Sequence, residues 1–188
     1  MPINRRERAH ETREPVLQLI RTYRSPERDA ITTEIILRPA TSKDAPQVAE
    51  VLLLSRKAFL PYACGPHTDA EVYQWVREML IPTGGVIVAC SGTAIVGVLA
   101  IECTDELSWL DQLYLAPSHV GQGIGALLLD HALQVLPLPI RLYTFQANVR
   151  ARAFYERHGF KAIAFTDGSE NMEQCPDVLY ELALRSSC

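Results

Sequence analysis

The chain has 188 residues, Lys+Arg 18 against Asp+Glu 22 for a net charge of -4, and 48% apolar residues. That length suits one good-sized domain, and a chain this apolar can bury enough surface to offset its ordering entropy, so disorder along the whole length is excluded. The charge balance lacks the broad basic field that nonspecific nucleic-acid binding requires, and no apolar run approaches the ~20 residues that cross a bilayer.

The opening MPINRRERAHETREP has no apolar region of a secretory signal, and Glu7, Glu11 and Glu14 argue against a transit peptide. Residues 1–33 carry seven arginines and five acids, with one apolar stretch, Val16-Leu17-Gln18-Leu19-Ile20, between Pro15 and Pro26. We read them as an N-terminal appendage holding at most a short amphipathic helix, and residues 34–188 as the functional domain. There Glu34–Arg38 forms a strand closed by Pro39. Thr41 or Ser42 caps a helix whose first turn holds Asp44 and whose apolar face is Val48, Val51, Leu52 and Phe59. After the loop Pro61–Asp69 a second helix runs to about Leu80. Val86–Cys90 and Ala94–Glu102 flank the turn Ser91-Gly92-Thr93 as a hairpin, and a third strand, about Leu107 to Leu115, completes an antiparallel meander. A helix over 123–135, a strand over 140–145, a helix over 149–158 and strands over 161–165 and 178–184 come next in the chain. The expected fold class is α/β (α+β), in the order β-α-α-β-β-β-α-β-α-β-β.

The five cysteines are odd in number and widely spaced, with no C-x-x-C or Cys/His cluster, so free thiols in a reducing cytoplasm are expected and no metal site is.

One segment carries a specific chemical signal. Leu113-Tyr114-Leu115 ends a strand, Ala116–Val120 turns, and Gly121-Gln122-Gly123-Ile124-Gly125 opens a helix. Glycines let backbone N–H groups converge and let a ligand approach closely, and the helix N-terminus adds unsatisfied donors and the positive end of the dipole. Such a turn suits a pyrophosphate, against the plainer reading of a tight strand-to-helix connection. Gly121-x-Gly123-x-x-Ala126 also fits the dinucleotide fingerprint. That fingerprint follows its strand at once in a parallel unit and wants an acid about 20 residues on. Here a loop intervenes, the preceding strands form a meander, and 141–146 offers no acid.

The same turn resembles the acyl-CoA signature Gln/Arg-x-x-Gly-x-Gly/Ala of the GNAT family of N-acetyltransferases, with Val120 in the place of its polar first residue. Ile36–Thr41 resembles the family's opening strand. Asn148-Val149-Arg150-Ala151-Arg152-Ala153-Phe154-Tyr155-Glu156-Arg157-His158-Gly159-Phe160 resembles its second cofactor motif, and Asp167–Ser169 with Pro176–Glu181 its closing strands. The resemblance spans roughly 34–184 and implies a mostly antiparallel central sheet flanked by helices. It implies acetyl-CoA as cosubstrate, bound by Leu113, Tyr114, Leu115, Val120, Gly121, Gln122, Gly123, Ile124, Gly125, Asn148, Ala151 and Tyr155, with the backbone of Leu113 and Leu115 pairing with pantetheine. It further implies acetyl transfer to a primary amine of a small molecule by direct attack in a ternary complex. A CoA-binding module without catalysis and a protein or peptide N-acetyltransferase are the alternatives. No nucleic-acid or membrane partner is expected, and a homodimer is left open.

Acetyl transfer needs an amine that has lost its proton, a donor for the developing carbonyl charge, a proton for the thiolate and both substrates held in line. The resemblance places the family's catalytic tyrosine at Tyr155, which otherwise reads as a core aromatic among Ala151, Phe154 and His158 at helical spacing. Asn148 reads equally as a helix cap. Asp111, two residues before Leu113 and so on its strand face, is the candidate base, with Glu102, Asp105 and Glu106 as rivals and a simple surface carboxylate as the alternative. Acceptor contacts are expected from Pro61–Asp69, including Tyr62 and His67, from Tyr73, and from the Asp167–Pro176 tip, including Glu170.

Overall fold

The computed structural model describes residues 21–23, 34–63, 65–104 and 107–183. Twelve regular elements occur there: β1 (Arg21–Tyr23), β2 (Ile35–Pro39), α1 (Ala45–Phe59), α2 (Asp69–Trp75, continued as a π turn to Leu80), β3 (Val86–Ser91), β4 (Ala94–Cys103), β5 (Ser108–Leu115), α3 (Ile124–Val135), β6 (Ile140–Phe145), α4 (Val149–Arg157), β7 (Lys161–Phe165) and β8 (Asp177–Leu182). From residue 34 onward the order is the one expected from the sequence. β1 is an addition, pairing antiparallel with β2 as an edge strand. The expected Val16–Ile20 helix, Cys64, Asp105, Glu106 and Cys188 lie outside the described residues, while Cys90, Cys103 and Cys175 are free thiols. No helix among the described residues is long and apolar enough to cross a membrane.

The strands form one eight-stranded sheet in the order β1-β2-β3-β4-β5-β6-β8-β7. All neighbours are antiparallel except β5 and β6. Strands β3 and β4 are apolar at nearly every position because both faces of the sheet are covered. Ile87, Ala89, Val96, Leu99 and Ile101 face a core built with Ile124, Leu128, Leu129 and Ala132 of α3 and Tyr155 of α4. Val86, Val88, Cys90, Ile95, Val98 and Ala100 face the opposite core, with Val48, Val51 and Leu52 of α1 and Val72 and Val76 beyond it. Alternate residues of a strand thus serve two helix layers.

Two breaks in the ladders shape the middle of the sheet. Between β4 and β5 the register runs Ala100↔Gln112 and then Ile101↔Leu110, so Asp111 is the extra residue of a bulge. Between β5 and β6 only Ser108↔Ile140 and Trp109↔Arg141 pair. Beyond them the strands separate, while β6 stays paired with β8 along its length, from Ile140↔Leu182 to Phe145↔Asp177.

The start of the first helix layer is locked electrostatically. Arg38 Nη1 and Nη2 each donate to one oxygen of Asp44 at 2.7 Å, and Asp44 also accepts from the Thr41 backbone N–H at 2.7 Å and hydroxyl at 2.8 Å. The Asp44 side chain is 10% exposed. The hydrogen bond from Arg38 holds its carboxyl well below the usual carboxylate range, outweighing the opposing effect of burial. A carboxyl depressed in the folded state adds stability that is full above its unfolded value and lost as the pH falls. Asp44→Asn is therefore expected to cost about 2 kcal/mol at neutral pH. In denaturant titrations the gap between variant and parent should narrow progressively below about pH 4.

Candidate active site

The separation of β5 from β6 opens a cleft in the sheet. Its walls come from β5 (Leu110, Asp111, Leu113, Tyr114), from β6 (Tyr143, Thr144, Phe145), and from Asn148, Ala151 and Tyr155 at the start and middle of α4. Leu60, Asn171, Glu173 and Asp177 close the far end. A strand edge without a ladder partner leaves backbone donors and acceptors turned toward this space.

On one side of the cleft, β5 runs into the glycine turn. Pro117–His119 forms a single 3₁₀ turn, and Gly121 and Gly123 have φ of +86° and +82°. Those left-handed values favour glycine, and a Cβ built at either would meet nothing within 4 Å, so both positions are open to a ligand. Gly123 is the N-cap of α3 and has no side chain to cap with, which leaves the first-turn amides of α3 to an external acceptor. Gly125 serves another purpose. A Cβ there would lie at ordinary contact distance, 3.5 Å from Leu115 Cδ1 and 3.8 Å from the Phe154 ring, so this position faces the core rather than open space. Gln122 Nε2 donates to the Ser118 carbonyl at 3.0 Å, bracing the turn with a side chain. Val120 is half-buried and Ile124 is buried in the core. These features fit a pyrophosphate held by backbone N–H groups.

On α4, Asn148 Oδ1 accepts from the Ala151 N–H at 3.1 Å, so the residue is the helix cap and a cleft residue at once. Tyr155 likewise satisfies both readings. It is 7% exposed, its ring packs against Phe160 and Tyr180 at centroid distances of 5.7 and 6.4 Å, and it lines the cleft. Burial pushes its phenol well above the usual tyrosine range, and the neighbouring Tyr114 pushes it further. Such a phenol keeps its proton at physiological pH and can donate a hydrogen bond, while its raised pKa makes it a weaker acid than an ordinary tyrosine. Tyr114 is itself shifted upward by burial, an effect opposed by Arg56, and its ring packs against the α1–α2 core.

Asp111 is exposed and lines the cleft together with Leu113, two residues on, while Leu110 and Leu113, three residues apart across the bulge, pack against the same core. Leu115 also packs against that core, so the β5 leucines act structurally through their side chains. Of the expected acceptor contacts, Tyr62 stands edge-on to Phe145 at 6.2 Å. His67 is half-buried and Glu170 and Tyr73 are exposed, and none of the three lines the cleft. Glu173, Asn171, Asp177 and Arg56 were not singled out in the sequence. Glu173 bonds Arg56 at 3.2 Å across a separation of 117 residues, which no local pattern announces. No group of three or more potential ligands for a metal occurs among the described residues.

The model of the acetyltransferase (GNAT) family matches residues 50–160, and the chain belongs to that family. No curated protein matches the sequence. Among solved structures, the PaiA N-acetyltransferase of Thermoplasma acidophilum in complex with coenzyme A is similar at a TM-score of 0.63 and 23% identity, over 80% of this chain and 99% of that one. YjaB of Escherichia coli is similar at 0.63 and 21%, over 78% and 96%. The ribosomal-protein-S18-alanine N-acetyltransferase of Escherichia coli is similar at 0.61 and 13%, over 82% and 96%. These likenesses establish the fold, and family membership makes the protein an acetyl-CoA-dependent N-acetyltransferase. The β5–α3–β6 unit is a parallel crossover like that of a dinucleotide fold, but here the two strands part after two residues, which makes room for an extended arm between them.

Gly123→Ala is expected to cost about 1–2 kcal/mol of stability through its left-handed backbone. It should also weaken acetyl-CoA binding about tenfold or more by displacing phosphate-binding amides. Gly92→Ala is the control: Gly92 also has a positive φ, +60°, with nothing within 4 Å, but lies in the β3–β4 turn. It should lose comparable stability and bind acetyl-CoA normally in calorimetry.

Proposed function

We propose that the protein acetylates the primary amine of a small molecule by direct attack within a ternary complex, with Tyr155 as the acid and Asp111 as the base. Bound acetyl-CoA supplies an activated acetyl group as a thioester. The amine nitrogen bonds to the acetyl carbon as the carbon–sulfur bond breaks. Tyr155 hands its proton to the departing sulfur, and Asp111 takes the proton that the amine gives up. The observation that carries this reading is the place of Tyr155: buried on α4 and lining the cleft where β5 and β6 part. We assign pyrophosphate binding to the amides of residues 121–125, with Val120 supplying no polar side chain. The strand edge Leu113–Leu115, with Tyr114, Asn148 and Ala151 beside it, is assigned to the pantetheine arm.

Contact between two loops at the acceptor side of the cleft supports a small acceptor over a peptide. Loop 61–68 and the loop between β7 and β8 meet there, with Cys175 Sγ donating to the Tyr62 carbonyl at 3.5 Å and Arg56 bridging to Glu173. The free thiols at Cys90, Cys103 and Cys175 support a reducing, cytoplasmic setting. Thiol release from acetyl-CoA, screened against amines, amino acids, polyamines and peptides, tests the acceptor class. Turnover with peptides alone would contradict the small-molecule reading.

Tyr155→Phe keeps the ring in its packing and removes only the hydroxyl. Turnover should fall by roughly 10²-fold or more while the Kd for acetyl-CoA stays unchanged, because the proton is needed only as the sulfur leaves. Stability should change by about 1 kcal/mol at most. Unchanged kcat would remove Tyr155 from the chemistry. We also propose residues 34–188 as the whole catalytic domain, so a chain starting at residue 34 should fold and bind acetyl-CoA. Loss of binding by a folded truncation would assign part of the site to residues 1–33.

A further inference from the structure

We propose that Glu173 draws in the acceptor as its ammonium ion, which gives its proton to Asp111 before the freed amine attacks, and that the acceptor is an alkylamine with no carboxylate beside its amine. This rests on the small-molecule reading above and adds the residue and the chemistry that select the substrate. Glu173 lies on the loop between β7 and β8, and its side chain is only 2% exposed although it lines the cleft. A carboxylate so withdrawn from water is costly unless charged or polar partners hold it. Arg56 of α1 is one such partner. Its Nη2 donates to Glu173 Oε1 at 3.2 Å and to the Ala63 carbonyl at 3.3 Å. The backbone of loop 61–68 presses on the same pair: a Cβ at Gly65 would lie 3.3 Å from Arg56 Nη2 and 3.9 Å from Glu173 Oε1. The end of α1 with the loop that follows it, and the distant β7–β8 loop, thus fix one buried carboxylate in the cleft lining, and Arg56 also acts on the Tyr114 phenol of the same wall.

The rest of the wall agrees in sign. Asp177, held by Asn171 Nδ2 at 3.0 Å and by the Thr166 hydroxyl, and Asp111 also line the cleft. Its lining residues include no Lys, Arg or His. A low-dielectric cleft lined by one sign of charge concentrates the opposite charge and rejects its own. Arg56 balances the charge of Glu173, so the excess is that of Asp111 and Asp177: an ammonium ion is drawn in, and a carboxylate on the adjacent carbon is repelled. Leu60, Tyr143 and Phe145 offer an apolar surface for the alkyl chain.

The test compares matched acceptors that differ by one carboxylate: tyramine with tyrosine, and pentylamine with norleucine. The parent protein should favour each amine over its amino acid by about 100-fold or more in kcat/KM. Glu173→Gln keeps the shape and an acceptor for Arg56 but removes the charge. It should narrow that preference at least tenfold, chiefly by raising KM for the amine, and leave the Kd for acetyl-CoA unchanged. Equal efficiencies within each pair for the parent, or an unchanged preference in the variant, would overturn the proposal. If the variant fails to fold, the ratio in the parent still decides. No turnover of any small amine by a protein that binds acetyl-CoA would instead overturn the small-molecule reading, and this proposal with it.

Discussion

Strands β5 and β6 pair over two residues and then part, and the site depends on that separation. Each strand is committed on its other edge, β5 to β4 up to Leu115↔Gly97 and β6 to β8 up to Phe145↔Asp177. The twist of neighbouring strands accumulates between these two commitments, and the bulge at Asp111 adds to it. Neither strand can close the gap without giving up a ladder it already has. The interior of the sheet therefore contains a slot edged by backbone polar groups, a place where an extended amide-bearing chain replaces a missing strand. α4 covers the slot from one face, and Tyr155 reaches it because Phe160 and Tyr180 hold its ring from behind.

The two ends of the slot use different physics. In the proposed site the glycine turn recognises its ligand through the backbone: two left-handed residues and an uncapped helix start converge N–H groups, and side chains are disfavoured by φ. A side chain at position 120 is dispensable in such a scheme, which is why Val120 does not break it. At the proposed acceptor end, side chains are held by tertiary contacts, with Arg56 and Asn171 each fixing a carboxylate. Backbone recognition suits a cosubstrate that never changes, and side chains on loops suit an acceptor that differs from one protein to another.

Much of this was legible in the sequence because its signals are local. Continuous apolar runs around a Gly-containing turn marked β3 and β4, a further run stopped by Pro117 marked β5, and the motif around Asn148 and Tyr155 placed the two at the cap and in the body of one helix. What escaped depends on long-range geometry. The bulge at Asp111 leaves no compositional mark, so the register break that lets Leu110 and Leu113 share a core could not be read from a count by twos. Asn148 and Tyr155 each looked like a choice between packing and function, yet the cap bond and the buried ring are what present them to the cleft. The pairing of Arg56 with Glu173 arises only when α1 meets the β7–β8 loop. The edge strand β1 was hidden because its three residues carry too little pattern to stand out in an Arg-rich segment.

The central claim is that backbone groups at the glycine turn and along the free edge of β5 receive acetyl-CoA. The most direct measurement is amide chemical-shift mapping of the full-length, isotope-labelled protein during titration with acetyl-CoA. The account predicts the largest shifts at residues 121–126, from phosphate on their N–H groups, and at 113–115, from an arm pairing with β5, with the amides of β3 little changed. Saturable binding that leaves both segments unmoved, or that shifts only residues remote from the β5–β6 gap, would contradict it.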